Sequence, residues 1–377
     1  MIEGQPTTND TAPQHAPRPL PLFLAMLRSE TAASPERQAA AMAGLAAYQA
    51  AVREAPPPAL DERARVGRAS LRGAGGSGRP VVLVPSLINP PAILDIDAER
   101  SLVRRLAAAG CDAMLVDWGE PDVGDRDQDI DAHVADLLVP LLRRLAEPPV
   151  LVGYCLGGTM AVAAAALTPV AGVATLAAPW RFAGYGEARG PIAAMWRDAG
   201  PTCAALGLVP MEVLQAGFWR LDPARTIGKY EAFSRMAPDS AAARAFVRLE
   251  DWANAGAPLT YAAGRQLFED FIDADRPGQG QWSIGGVAID PARLDVPAIE
   301  FVSRTDRIVP AATAAGVGER RDLALGHVGM IVGGRAREAL WQPLEEWIAR
   351  LPSSHAGKDL LGRRDPLDAA QHRRPLT

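Results

Sequence analysis

One cysteine lies where a strand turns sharply into a helix. The segment Val150-Leu-Val-Gly-Tyr-Cys-Leu-Gly-Gly-Thr-Met-Ala161 begins with an apolar run typical of a buried strand and ends in an alanine-rich run typical of a packed helix. Cys155 is at the corner, with glycines at positions 153, 157 and 158, where strand and helix crowd each other. A helix N-terminus favours a thiolate and can bind an oxyanion. The pattern predicts a nucleophile; the alternative is a glycine-rich turn with an inert buried cysteine.

A nucleophilic thiol needs a base to take its proton. Gly-x-Cys-x-Gly is the nucleophile elbow of the α/β-hydrolase fold with cysteine in place of serine, and there the acid and the histidine follow on loops after the last strands. Of the five histidines, His15, His355 and His372 lie in predicted tails, and His133 lies on a polar helix, where we expect a solvated side chain. His327 lies in a glycine-flanked loop after a candidate last strand. We therefore predict that His327 is the base; a structural loop histidine is the alternative.

The acid that orients this base is expected on a neighbouring loop. Asp306 follows the apolar run 297–302 and precedes Pro310, so we predict that Asp306 is the acid. Asp295 lies before that run and Asp322 lies at the start of the next candidate strand, so neither is directed at the catalytic edge as naturally. A surface carboxylate without a catalytic role is the alternative for each of the three.

The oxyanion hole of this fold is made of backbone N–H groups. The first is expected from Leu156, directly after the nucleophile. The second is expected from the loop after the strand 81–84, where Leu87 is the predicted donor and Ser86 the second choice.

The composition excludes several classes of protein. The 377 residues carry a formal net charge of -5 without a basic stripe, so no nucleic acid partner is expected. The three cysteines are far apart and no Cys/His cluster has metal-ligand spacing, which favours a reducing cytoplasm and no metal. The N-terminus lacks the features of a signal peptide. The uncharged run 148–180 is broken by glycine and proline, so it predicts the centre of a sheet and no membrane span.

The order of elements predicts the architecture. Short apolar strands alternate with helices, which favours right-handed crossovers and a mostly parallel sheet. We predict an α/β-hydrolase fold with helices flanking the sheet and a mainly helical, aromatic-rich cap or lid inserted before the last strands; an ordinary helical subdomain without gating is the alternative. The predicted segments are a disordered tail (1–19), an N-terminal helical arm (20–62), the first part of the core (63–179), the cap (180–291), the second part of the core (292–351) and a flexible tail (352–377).

From about residue 80 to 350 the sequence resembles the polyhydroxyalkanoate synthase family, most weakly in the cap. The blocks that carry the likeness are Val84-Pro-Ser-Leu-Ile-Asn-Pro-Pro-Ala-Ile-Leu-Asp95, Leu115-Val-Asp-Trp-Gly-Glu-Pro-Asp122, Gly153-Tyr-Cys-Leu-Gly-Gly158, Asp306-Arg-Ile-Val-Pro310 and Gly326-His-Val-Gly-Met330. The resemblance implies a Cys-Asp-His triad of Cys155, Asp306 and His327, which is the set already predicted from the residues.

The same resemblance implies an activity and partners. Members of this family join 3-hydroxyacyl groups from coenzyme A thioesters into a growing polyester, with no cofactor besides the thioester substrate. The chain lacks the large amino-terminal domain of long synthases and is similar in length to the short, class III-like form, which works with a second subunit. A second synthase subunit or a homodimer is therefore expected, in the cytoplasm and at the surface of polymer granules.

The chemistry of cysteine independently favours acyl transfer. An acyl group on a thiol is close in energy to the coenzyme A thioester it came from, whereas a serine ester is a deeper resting state. A cysteine-nucleophile hydrolase acting on acyl thioesters or on the polyester, as a thioesterase or depolymerase, is the alternative. A granule-associated binding protein with a vestigial site is a third interpretation, and the intact triad residues argue against it.

Overall fold

The computed structural model describes residues 15–352, so residues 1–14 and 353–377 of the two predicted tails lie outside the described residues. The chain divides into two compact units. The smaller unit joins the segment that ends at Ala55 with residues 222–254, and the larger unit joins residues 56–221 with the chain from Ala255 onward.

An eight-stranded sheet forms the centre of the larger unit. Its strands are β1 (Asp61–Val66), β2 (Ala69–Gly73), β3 (Pro80–Val84), β4 (Asp112–Asp117), β5 (Val150–Tyr154), β6 (Gly172–Leu176), β7 (Ala298–Ser303) and β8 (Glu319–Leu323). They lie in the order β1-β2-β4-β3-β5-β6-β7-β8. The pairs β1–β2 and β2–β4 are antiparallel, and every other neighbouring pair is parallel.

The middle strands consist of apolar and small residues because both faces of the sheet are covered. Every residue of β3, β5 and β6 is buried. The helices around the sheet are Leu102–Ala108, Ile130–Ala132, Val139–Leu142, Leu156–Leu167, Gly329–Val332 and Gln342–Arg350, with π-helical turns at His133–Leu138 and Arg337–Trp341. Short 3-10 turns lie at Pro91–Leu94, Val123–Asp125 and Ala311–Thr313. A mostly parallel sheet flanked by helices, with Cys155 directly after a central strand, is the α/β-hydrolase architecture, so the predicted fold class is confirmed.

The residues between β6 and β7 that belong to the larger unit are mainly helical. They form a 3-10 segment at Phe182–Ala188, helices at Arg189–Leu206, Met211–Leu221 and Tyr261–Arg265, a π-helix at Gln266–Asp273, a 3-10 turn at Pro291–Arg293 and two strand pairs, Leu208–Val209 with Leu259–Thr260 and Ser283–Ile284 with Val287–Ala288. Aromatic side chains join these elements: the ring centroids of Trp196 and Phe268 are 4.8 Å apart, and those of Phe271 and Trp282 are 4.9 Å apart.

The smaller unit consists of the helices Leu20–Glu30, Pro35–Ala50, Pro223–Phe233 and Ala241–Asn254. Ser34 caps the second of them, accepting a hydrogen bond from the N–H of Arg37 at 3.3 Å. The helices approach closely at Gly44, where an added Cβ would lie 2.0 Å from the carbonyl oxygen of Tyr230. Tyr230 packs against Phe23 with ring centroids 4.9 Å apart and donates its hydroxyl to Glu250 at 2.8 Å.

The structure divides the predicted cap differently from the sequence analysis. Residues 222–254 belong to the same compact unit as the N-terminal helices, whereas 180–221 and 255–291 belong to the unit that contains the sheet. The reason is packing: the helices Pro223–Phe233 and Ala241–Asn254 are amphipathic, and their aromatic faces meet Phe23 and Tyr48 of the N-terminal helices. Within residues 15–352, no helix is long and apolar enough to cross a membrane.

Candidate active site

The backbone at Cys155 has the strained conformation of a nucleophile elbow. Cys155 has φ 55° and ψ -133°, a positive φ that residues other than glycine rarely adopt, and it immediately precedes the helix Leu156–Leu167. Its N–H donates to the carbonyl of Leu176 on β6 at 3.0 Å, and its carbonyl accepts from the N–H of Gly158 at 2.9 Å. The strand-turn-helix predicted for this segment is present, and it places the thiol at the helix N-terminus.

Glycine is required at this turn because backbone meets backbone. A Cβ added to Gly157 would lie 2.1 Å from the carbonyl oxygen of Val84 and 2.5 Å from that of Pro85. A Cβ added to Gly153 would lie 2.4 Å from the Cα of Gly158. The end of β3 and the start of the helix therefore touch directly, which brings the loop after β3 to the cysteine.

We expect Gly157→Ala to destabilise the fold by about 3 kcal/mol, the upper end for overpacking, because neither carbonyl can move without shifting β3. Urea unfolding followed by circular dichroism measures this loss. The control is Gly190→Ala, since an added Cβ there meets no atom within 4 Å and alanine is favoured in a helix. An unchanged urea midpoint for Gly157→Ala would contradict the packing described here.

His327 and Asp306 form a buried pair. The Nδ1 of His327 lies 2.6 Å from the Oδ2 of Asp306, whose side chain is fully buried. Asp306 follows β7, and its Oδ1 accepts from the N–H groups of Ile308 at 2.7 Å and Val309 at 2.9 Å. The carboxylate is thereby held in one orientation, and its second oxygen fixes the imidazole through Nδ1 and leaves Nε2 as the atom that can exchange a proton.

Two further contacts hold the loop that carries His327. The Tyr154 ring stacks on the imidazole with centroids 4.9 Å apart, and its hydroxyl donates to the carbonyl of His327 at 3.2 Å. The hydroxyl of Ser303, at the end of β7, donates to the carbonyl of Leu325. Tyr154 and Ser303 were given no role on the basis of the sequence. The one sequence feature that could have indicated the role of Tyr154 is its position directly before Cys155.

The electrostatics of the pair favour a protonated imidazole. Burial lowers the pKa of His327, but the nearby charges of Asp306 and Cys155, together with hydrogen bonds to both side chains, outweigh burial and raise that pKa above its ordinary value. The three predicted residues thus lie at one site, with His327 held by Asp306 and within electrostatic reach of Cys155. A histidine whose pKa is raised retains a proton taken from the thiol. This favours a pair of thiolate and imidazolium.

An apolar cavity opens at Cys155. Its empty volume is about 690 Å³, including space open to solvent, and it is lined by Cys155, Leu156, residues of the loop after Asp306, and apolar side chains of residues 182–221 and 267–272. A cavity of this size and character suits a ligand with an apolar chain. The charged base and the apolar cavity therefore meet at the sulfur.

The structure places the predicted oxyanion donors without testing their role. Leu156 is the first residue of its helix, and the first N–H groups of a helix have no partner within it. Leu87 lies in the loop after β3, where the next N–H, that of Ile88, donates to Ser86 Oγ at 3.1 Å. Both assignments stay predictions.

Several curated proteins are similar to this chain, although no protein-family model matches it. The poly(3-hydroxyalkanoate) polymerase subunit PhaC of Haloferax mediterranei is 31% identical over 301 residues, which are 74% of this chain and 60% of that protein. The PhaC subunit of Synechocystis is 28% identical over 72% of this chain and 77% of that protein. The PhaC subunit of Allochromatium vinosum is 27% identical over 71% of this chain and 80% of that protein. The chain is a relative of the polyhydroxyalkanoate synthases.

The chain spans about 60% of the length of the Haloferax and Haloarcula synthase subunits that it matches. Among solved structures, a thermophilic esterase from Thermogutta terrifontis is 18% identical to this chain, with a TM-score of 0.46 over 78% of this chain and 99% of that one. A putative non-heme bromoperoxidase, BpoC, from Mycobacterium tuberculosis is 18% identical, with a TM-score of 0.44 over 78% and 100% of the two chains.

The prediction for His133 was wrong. Its side chain is buried, with Nδ1 2.6 Å from the carbonyl oxygen of Asp129 and Nε2 2.7 Å from the guanidinium of Arg68. Burial, aided by the charge of Arg68, lowers the pKa of His133 to about 4. The helix is polar in sequence, but its first turns bury Ile130, His133 and Val134 against the core, a face that the sequence alone did not reveal.

Proposed function

We propose that this protein is a polyhydroxyalkanoate synthase-like acyltransferase that polymerises 3-hydroxyacyl groups from 3-hydroxyacyl-coenzyme A through a covalent thioester on Cys155. The observation that carries the proposal is the opening of Cys155 onto an apolar cavity while its neighbour His327 is held by Asp306 at 2.6 Å. A nucleophile with a base on one side and an apolar chain-binding space on the other is equipped to accept an acyl group.

In the first step of this mechanism His327 takes the thiol proton of Cys155, and the sulfur attacks the thioester carbonyl. The N–H groups of Leu156 and Leu87 stabilise the oxyanion. The bond from the carbonyl carbon to the coenzyme A sulfur breaks, and the imidazolium returns the proton to the leaving thiolate. The product is a Cys155 thioester, close in energy to the substrate thioester.

In the second step the hydroxyl of another hydroxyacyl group attacks an acyl thioester. The hydroxyl gives its proton to His327, a carbon-oxygen ester bond forms, and the carbon-sulfur bond breaks, with the proton returning to the sulfur that leaves. Each cycle adds one ester unit and regenerates a thiol. No cofactor besides the thioester substrate is needed for this balance.

Exclusion of water separates a polymerase from a hydrolase at this site. A thioester beside a histidine base is hydrolysed if water reaches it before a hydroxyacyl group does. The side chains facing the cavity from residues 182–221 and 267–272 are apolar apart from one tyrosine hydroxyl, so they offer water few hydrogen bonds. We infer that these parts of the predicted cap keep water from the acyl-enzyme, and that the loop around Gly256 lets the site open. Gly200 and Gly264, which the sequence also suggests as hinges, lie inside the helices Arg189–Leu206 and Tyr261–Arg265.

The proposal includes the setting in which the protein works. We infer a short, class III-like synthase that acts in the cytoplasm at the surface of polymer granules, with a second synthase subunit or as a homodimer. Its substrates are 3-hydroxyacyl-coenzyme A and the growing polyester, and nucleic acid is not a partner.

The test follows coenzyme A release and polymer mass together when the purified full chain is mixed with 3-hydroxybutyryl-coenzyme A, with and without cell extract from its source. Release that shows a lag while polymer accumulates supports the synthase. Immediate release with only monomeric 3-hydroxybutyrate in every condition would establish the thioesterase alternative in its place.

We expect Gly217→Leu to shorten the acyl chain that the protein accepts. Gly217 lines the cavity, and a Cβ added there would lie 3.2 Å from the sulfur of Met195, so a leucine side chain must enter the cavity. Turnover of 3-hydroxyoctanoyl-coenzyme A should fall about 10-fold or more relative to 3-hydroxybutyryl-coenzyme A, since one misplaced methylene in an apolar pocket already has effects of that size. Gly190→Leu, at a position with open space, is the control. Equal losses for both substrates would show that Gly217 does not face the acyl chain.

A further inference from the structure

The lining of the apolar cavity beside the nucleophile includes one tyrosine. Tyr185 lines the same cavity as Cys155, and every other lining side chain is apolar. The thiol is the reacting group, so the hydroxyl of Tyr185 is the one remaining lining side-chain group that can donate a strong hydrogen bond to a ligand. An isolated polar group in an apolar pocket fixes the orientation of the ligand and provides specificity.

The Tyr185 ring is held by its neighbours. It stacks on Phe182 at an interplanar angle of 17°, with ring centroids 6.1 Å apart. The N–H of Phe182 donates to the buried carboxylate of Asp275 at 2.6 Å. A Cβ added to Gly184 would lie 2.5 Å from the carbonyl of Ala312, so this turn packs directly against the backbone after Asp306. The direction of the phenol is therefore set before substrate binds.

The hydroxyl of Tyr185 is neutral and has no hydrogen-bond partner among residues 15–352. Burial raises its pKa, and the charges of Cys155 and Asp306 raise it further. The hydroxyl is therefore a donor at every physiological pH, within electrostatic reach of the sulfur and the catalytic carboxylate. Tyr185 is half-buried and lines an apolar cavity that offers its hydroxyl no partner, so a group on the substrate is the natural one.

We propose that the hydroxyl of Tyr185 binds the 3-hydroxyl group of the acyl chain and thereby selects 3-hydroxyacyl over unsubstituted acyl thioesters. This inference rests on the proposed function. The thioester carbonyl oxygen is directed to the backbone N–H groups at the start of the Leu156 helix. It therefore accepts its hydrogen bonds there and not from the phenol hydroxyl of Tyr185. The 3-hydroxyl lies two carbons further along the chain, in the apolar cavity, where an unpaired hydroxyl is unfavourable.

The experiment measures the rate at which Cys155 becomes acylated, by intact-mass spectrometry of the full chain with 3-hydroxybutyryl-coenzyme A and with butyryl-coenzyme A. In Tyr185→Phe we expect acylation by the 3-hydroxy substrate to fall about 10-fold, the effect of one hydrogen bond, while acylation by butyryl-coenzyme A is unchanged. The unchanged butyryl rate shows that the variant is folded. Tyr261→Phe is the matched control: Tyr261 stacks on Trp196 outside the cavity lining, so its ratio of the two rates should equal that of the wild type.

The outcomes separate this inference from the function on which it rests. A ratio of the two rates that is the same in Tyr185→Phe and the wild type would overturn the selection by Tyr185, whether both rates fall or neither does, while leaving the acyltransferase in place. A wild-type Cys155 that neither thioester acylates would instead overturn the proposed function, and the role of Tyr185 with it.

Discussion

Cys155→Ala is expected to lose acyl-enzyme formation completely and to lower coenzyme A release by at least about 10³-fold. The sulfur is the atom that would carry the acyl group, and alanine leaves nothing for His327 to deprotonate. Alanine would have the same strained backbone, with φ 55°, as cysteine has at this position. We therefore expect the variant to keep the fold. Intact-mass spectrometry after mixing with 3-hydroxybutyryl-coenzyme A measures the acyl-enzyme, and a thiol reagent measures coenzyme A release.

The other two cysteines are matched controls for this change. Cys111 is half-buried and Cys203 is buried, and burial raises the pKa of both thiols, which keeps them protonated and unreactive. Cys111→Ser and Cys203→Ser should therefore form the acyl-enzyme at the wild-type rate. Near wild-type turnover in Cys155→Ala would remove the basis for every step of the proposed mechanism.

We expect His327→Gln to lower turnover by at least about 10³-fold, because the base that takes the thiol proton is lost. The loss of turnover in Asp306→Asn should be roughly 10- to 100-fold smaller than the loss in His327→Gln, because the acid only orients the base. The asparagine oxygen can still accept from Ile308 and Val309, but its amide would face Nδ1 of His327 as a donor and favour the wrong tautomer. Steady-state kinetics on folded variants measure both losses.

Asp322→Asn is the matched control for the acid. Asp322 lies on β8 and pairs with Arg320 at 2.9 Å through an exposed side chain, so its loss should leave turnover unchanged. If Asp322→Asn were the damaging change and Asp306→Asn were silent, the assignment of the acid would be wrong.

The reacting residues could be chosen from sequence because each belongs to a local pattern. Glycines flank Cys155 at the spacing that a sharp turn needs, and the steric reason is the backbone contact at Gly157. Asp306 follows the apolar strand β7 and His327 follows the largely charged edge strand β8, and parallel neighbouring strands bring their carboxyl ends to one edge of the sheet. Adjacent strands β7 and β8 then place the two side chains 2.6 Å apart, as their order in the chain suggested.

Detail at the ends of elements was harder to predict. The alternating run 65–72 does not show that the chain turns within it, yet it forms part of the hairpin β1–β2, with Gly67 at a positive φ of 54° in the turn. The helical stretch from Ile130 to Leu142 contains a π-helical segment at His133–Leu138. Hydrogen bonds that the surrounding packing selects decide such ends, and periodicity of apolar residues does not report them.

The elbow, the parallel sheet and the residues of the candidate triad could be predicted from the sequence, because turn sterics and strand burial act over a few residues. The helices that share a core are known only from the fold. Residues 222–254 belong with the N-terminal helices, and His133 is buried. It also decided the shape of the cavity and the presence in it of Tyr185. An apolar pattern shows that a face of a helix or strand is buried. It does not show which element packs on that face or which polar group enters the cavity, because both depend on contacts between residues far apart in the chain.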